Sequence, residues 1–113
     1  MKYTYSDGSG NSYVIRSENT KTIEYLPVKP QSSSSSLYDG GNHLLKVLNE
    51  IQYDQIISVL NEAINNTECH IENRIKTSGM IIKSENKVKE EVIIKQDSNE
   101  LSKIELILQT LIQ

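Results

Sequence analysis

Phenylalanine and tryptophan are missing from this 113-residue chain, proline occurs twice and cysteine once. Six tyrosines are the whole aromatic content, so any aromatic core or aromatic recognition surface must be built from them. The lone Cys69 cannot form an internal disulfide, and Met1-Lys2-Tyr3-Thr4-Tyr5-Ser6-Asp7 has no apolar core of the kind that directs secretion. Together these predict a reduced, cytoplasmic setting. On that prediction the glycosylation triplet Asn65-Asn66-Thr67 is a chance match. No apolar run approaches the ~20 residues that span a bilayer, so no membrane association is expected. His43, His70 and Cys69 show no paired spacing, so neither a metal nor another cofactor is expected.

Concentrated positive charge is also lacking. Twelve Lys and Arg stand against fifteen Asp and Glu, for a net charge of −3. Lys83, Lys87, Lys89 and Lys95 are interleaved with Glu85, Glu90 and Glu91 rather than gathered into a stripe. Nucleic-acid binding requires clustered cations that release counterions on contact, so nucleic acid is not expected as a partner.

What the chain does have is branched aliphatic residues: 15 Ile, 10 Leu and 6 Val. That supply excludes global disorder and predicts one domain over residues 1–113. At this size folding buries roughly 65% of the unfolded surface, enough for a core without disulfide or metal.

Residues 1–28 read as a three-strand meander. Tyr3-Thr4-Tyr5 and Tyr13-Val14-Ile15 flank Asp7-Gly8-Ser9-Gly10-Asn11, a hairpin pattern whose Asp, Gly and Asn tolerate positive φ. Ser17-Glu18-Asn19-Thr20 then turns the chain into a strand with Ile23 and Tyr25 on one face, which Pro27 confines to an edge or ends. Residues 29–42 break the pattern with five consecutive serines and Gly40-Gly41, a long flexible loop in which Leu37 and Tyr38 are the odd apolar pair.

Residues 43–113 predict a helix, a hairpin and a second helix. Asn49 with Gln52 forms a capping box, and Tyr53, Ile56, Ile57, Leu60, Ala63 and Ile64 share one stripe. His43 to Leu48 fits either a short strand or first turns of that helix. Ile71, Ile75 and the Ser78-Gly79 stop signal extend the helix to about residue 78, with Cys69 facing solvent. A strand through Cys69, Ile71 and Ile75 is the alternative. Met80 to Lys83 and Val88 to Lys95 read as the hairpin. Asp97 with Glu100 then caps a helix that packs Leu101, Ile104, Ile107, Leu108, Leu111 and Ile112 and exposes Leu106. Strands in hairpins with late helices predict an α+β fold, an antiparallel sheet of about five strands with both helices on one face.

Three groups invite chemistry. Asp7, Ser9, Asn11, Tyr13 and Glu18 fall at the spacing of a calcium loop, but Ser12 stands where glycine is needed and no helix can precede the loop. A hairpin turn is therefore expected there. Cys69 and His70 are adjacent, and adjacent side chains diverge on a helix or a strand, so they cannot form a dyad. Tyr3, Tyr5, Tyr13 and Tyr25 are either sheet core or recognition surface.

With catalytic motifs absent, the functional expectation is a non-catalytic protein–protein interaction module: an adaptor, inhibitor or neutralising partner, monomeric or homodimeric. Its expected contact residues are Leu37, Tyr38 and Asp39. Two alternatives remain open. One is a small enzyme assembled from scattered residues such as His43, His70 and Glu72. The other is a small-ligand binder with a pocket between sheet and helices.

Overall fold

The computed structural model describes residues 1–28, 40–75 and 77–112. Among these residues seven strands form one antiparallel sheet: β1 (Lys2–Ser6), β2 (Ser12–Ser17), β3 (Lys21–Leu26), β4 (Leu44–Val47), β5 (His70–Ile71), β6 (Gly79–Glu85) and β7 (Val88–Ile94). Their order across the sheet is β4-β3-β2-β1-β6-β7-β5. Two helices, α1 (Glu50–Asn65) and α2 (Asn99–Leu111), complete the α+β architecture.

The two faces of the sheet follow from strand alternation. Tyr3 pairs with Ile15, and Tyr5 pairs with Tyr13 on one side and Ile81 on the other. Ile15 continues to Ile23 and Tyr13 to Tyr25. All of these side chains are at least nine-tenths buried and point at the helices. The tyrosine hydroxyls supply the polar links: Tyr3 donates to Asn61 of α1 at 2.9 Å and Tyr5 to Glu105 of α2 at 2.7 Å. Because Tyr3 and Tyr5 lie two apart on β1, both helices sit on the same face. The four sheet tyrosines are thus core, and the rings of Tyr5, Tyr13 and Tyr25 follow one another across the sheet in tilted contact, 6.1 Å and 4.9 Å between centroids.

The helix stripes are those of the sequence. Ile56, Leu60, Ala63 and Ile64 of α1 and Leu101, Ile104, Leu108 and Leu111 of α2 are buried. Tyr53, Ile57, Ile107 and Ile112 pack against them, and Leu106 is exposed. The Asn49–Gln52 capping box is present in both directions.

Several expectations need correction. The sheet has seven strands rather than about five, because residues 44–47 and 70–71 each add an edge strand. The first helix stops at Asn65 instead of running to about 78. Asn66 takes an extended conformation and turns its side chain onto the Glu68 amide, opening a short 3₁₀ turn over Thr67–Cys69. Cys69 is consequently buried, at 2% exposure, rather than facing solvent. Ser98, not Asp97, caps α2, its hydroxyl accepting from the Leu101 amide. Asp97 has a positive φ of 64°, outside the extended geometry a cap requires. The β6–β7 hairpin is longer than expected and closes on Asn86 and Lys87 alone, both at positive φ as a tight two-residue turn demands. Of the Val92-Ile93-Ile94 run only Ile94 is fully buried.

Candidate functional site

The β1–β2 turn is built around one carboxylate. Asp7 Oδ1 accepts from the amides of Ser9 and Asn11, and Oδ2 accepts from the Asn11 side-chain amide, each at 2.9 Å. Gly10 supplies the positive φ that the turn needs. Asn11, fixed in this way and buried, accepts at Oδ1 from the Val28 amide at 2.9 Å. Gly40 returns its own amide to the Val28 carbonyl at 2.8 Å, while its carbonyl accepts from the Tyr25 hydroxyl at 2.6 Å. A Cβ at Gly40 would lie 2.1 Å from Asn11 Oδ1, so the close approach requires glycine. Val28 and Gly40 are therefore joined to each other and to the β1–β2 turn in one hydrogen-bonded stem. Leu37, Tyr38 and Asp39, the expected contact residues, lie outside the described residues.

Beside the stem is an open cleft of about 600 Å³, between the β1–β2 turn and the second half of α2. Asp7, Asn11, Tyr13, Tyr25, Glu105 and Gln109 are among its lining residues. Burial, then the hydrogen bond and charge of Glu105, hold the Tyr5 hydroxyl far above its ordinary pKa, so this phenol stays protonated behind the cleft wall. The lining offers carboxylate, amide and aromatic ring, a chemistry suited to binding polar groups.

The outer strands flanking the stem expose apolar side chains. Leu26 of β3 is 41% exposed, and Leu45 and Val47 of β4 are 60% and 65% exposed. All three lie on the sheet face away from the helices, since Leu44 and Lys46 take the positions opposite Tyr25 and Ile23. Among the described residues, β4 pairs with β3 alone and ends the sheet.

The two histidines stand at opposite edges. On the open face beside β4, His43 Nε2 meets Glu24 at 2.7 Å, and Arg16 meets the same carboxylate at 2.9 Å. These contacts, the His43 bond first, hold Glu24 below the usual carboxylate range. At the β5 edge, His70 Nε2 donates to the Ala63 carbonyl at 2.7 Å. Cys69 Sγ donates to Asn66 O at 3.0 Å and to Ala63 O at 3.5 Å. Both side chains thus bond the Ala63 carbonyl, one of those in the last turn of α1. Burial, then the charge of Glu100, pushes the Cys69 thiol above its ordinary value, which disfavours the nucleophilic thiolate. Glu72 is exposed beyond β5. His43, His70 and Glu72 are therefore not brought together. Nor are the calcium-loop residues, because β2 carries Glu18 to the strand end remote from Asp7.

Among the described residues, no group of three or more His, Cys, Asp or Glu is placed to hold a metal ion. No helix among them is long and apolar enough to cross a membrane. Sequence reasoning missed the Asn11–Tyr25 clamp, whose partners Val28 and Gly40 are brought to it only by folding, and left β4 undecided. Comparison with protein-family models, with curated proteins and with solved structures gave no match.

Proposed function

We propose that this chain is a non-catalytic protein–protein interaction module, an adaptor, inhibitor or neutralising partner that binds through its β3–β4 hairpin. The observation that carries the reading is the exposure of Leu26, Leu45 and Val47 on the last two strands at one edge of the sheet, the edge that carries the clamped stem. Apolar side chains gathered on a rim of this kind are a recurrent mark of interaction surfaces. Between Val28 and Gly40 the sequence carries Leu37, Tyr38 and Asp39, and burying Leu37 and Tyr38 against a partner would contribute roughly 2–4 kcal/mol. The test is a chain carrying both Leu37→Ser and Tyr38→Ser. The reading expects capture of its partner from native lysate to be lost while the unfolding midpoint is unchanged. A stably folded double variant that captures the partner as well as wild type overturns it.

The cleft supports a second reading, a small-ligand binder, because its volume lies within the range of ligand pockets and Tyr13 and Tyr25 line it. Titration of small polar compounds followed by tyrosine fluorescence tests it, with no saturable response the outcome that removes it.

A further inference from the structure

The two edges of the sheet are protected differently. On the far edge β5 covers only Ile93 and Ile94 of β7, and the rest of β7 carries Lys89, Glu90 and Glu91, all exposed. Charged side chains on an edge are the usual defence against pairing with another chain. On the near edge, among the described residues, β4 itself exposes no charge, and the nearest charges are those of the His43–Glu24 pair beside it. β4 reads Leu44-Leu45-Lys46-Val47, and its single charge, Lys46, is turned to the helix face, where Nζ donates to the Leu111 carbonyl at 3.0 Å.

The backbone of β4 is also oriented for pairing. The Leu48 amide donates to Lys21 across the β3–β4 seam at 2.8 Å. By the alternation of an antiparallel ladder, Lys46 and Leu44 likewise turn their backbone groups towards β3, and those of Leu45 and Val47 point away from the sheet.

We propose that this edge pairs with the β4 edge of a second copy of the chain, antiparallel and about a two-fold axis through Leu45. The inference rests on the interaction reading above and names an occupant for part of the same surface. The strand is self-complementary in that register. Leu45 faces Leu45 of the second copy, Val47 faces His43, and Lys46 faces Leu44. The outward backbone groups meet as hydrogen-bonded pairs, about six bonds in all. Shifting the axis to Lys46 would set two like charges directly opposite, which a sheet disfavours. The Leu45-centred register instead brings Leu45 of both copies together on the open face, with Val47 on either side and the His43–Glu24 pairs flanking them. So short a seam lies below the ~800 Å² per partner of a standard interface, so the dimer is weak and exchanges freely.

Sedimentation velocity from low micromolar concentration upward is the test. Wild type should pass from monomer to dimer. Leu45→Lys and Leu45→Glu each set like charges face to face on the axis and should weaken self-association at least about tenfold. An equal mixture of the two variants should restore the dimer, a recovery that damage to the fold cannot produce. A Leu45→Cys chain, which keeps the native fold's buried Cys69 out of reach of oxidant, should cross-link to a covalent dimer under mild oxidation. Wild type that stays monomeric throughout overturns the proposal, as does a mixture that fails to recover the dimer. If wild type is monomeric but loses a lysate partner on Leu45→Lys, a foreign strand occupies the edge. Self-pairing is then wrong while the interaction reading stands.

Discussion

Replacing Tyr5 with phenylalanine removes one hydroxyl and leaves the ring where it packs. The hydroxyl donates to a Glu105 oxygen at 2.7 Å, from a side chain with no measurable exposure. Hydrogen bonds to a charged acceptor contribute about 1.5–3 kcal/mol net. Glu105 borders the open cleft and can recover water in part, which sets the expected loss near the lower end, about 1.5–2 kcal/mol. At about 4 °C per kcal/mol for a chain of this length, the midpoint should fall by about 6–8 °C. Tyr3→Phe is the internal control. Tyr3 is equally buried but donates to the neutral Asn61, so its loss should be about 1 kcal/mol or about 4 °C. Thermal and urea unfolding followed by far-ultraviolet circular dichroism measures both. The pH dependence adds a second arm. Because Tyr5 is held neutral well above the ordinary phenol value of 10.0, its contribution is complete below that pH and is lost as pH rises above it, where the unfolded chain ionises. The gap between wild type and Tyr5→Phe should therefore narrow on the alkaline side. Equal losses for Tyr3→Phe and Tyr5→Phe at neutral pH would falsify the assignment of a charge-assisted bond at Glu105.

Three further outcomes are expected. Cys69, 2% exposed and bonded to the end of α1, should react with a thiol reagent only after denaturation; labelling at the free rate in the native state would contradict its burial in the 3₁₀ turn. Gly79→Ala places a Cβ 2.5 Å from Leu101 Cδ1 and 2.6 Å from the Tyr5 hydroxyl. Overpacking of this kind costs about 1–3 kcal/mol, read as a lower urea midpoint, and an unchanged midpoint would show that β6 does not approach α2 so closely. Glu24 has a lowered pKa, so its contribution is present above the ordinary glutamate pKa and fades as pH falls through the lowered folded value. Stability of wild type minus that of Glu24→Gln should be positive and small at neutral pH and vanish in acid, and a difference that grows in acid would reverse the sign of the argument.

The parts of the fold that were legible in the sequence are those decided within a few residues. The Asn49–Gln52 box is local chemistry, and so is the Asp7–Asn11 turn. The helix stripes are periodic and survive ignorance of what they pack against. The end of α1 was not legible because Ile71 and Ile75 continue its stripe in phase. What decides against helix is the Asn66 side chain bonding the Glu68 amide, together with the pairing of His70 and Ile71 with β7 some twenty residues later. Asp97 and Ser98 both suit a cap by residue type, and only the backbone angle separates them. β4 and the Asn11–Tyr25 clamp share a different obstacle. Each depends on partners brought from beyond the 29–39 segment, and no local period encodes that return.

Lys46 connects these levels. The last turn of α2 contains no basic residue, and the carbonyls at a helix C-terminus attract a cation. Lys46 supplies it from β4 through its bond to Leu111. Strand alternation then fixes the consequence: a lysine that reaches the helix layer cannot also stand on the open face between Leu45 and Val47. Helix capping thus uses the one charge that could have guarded the edge, leaving β4 apolar on its exposed side. The same alternation exposes Leu45 and Val47 in side chain and backbone together, the combination that an incoming strand requires.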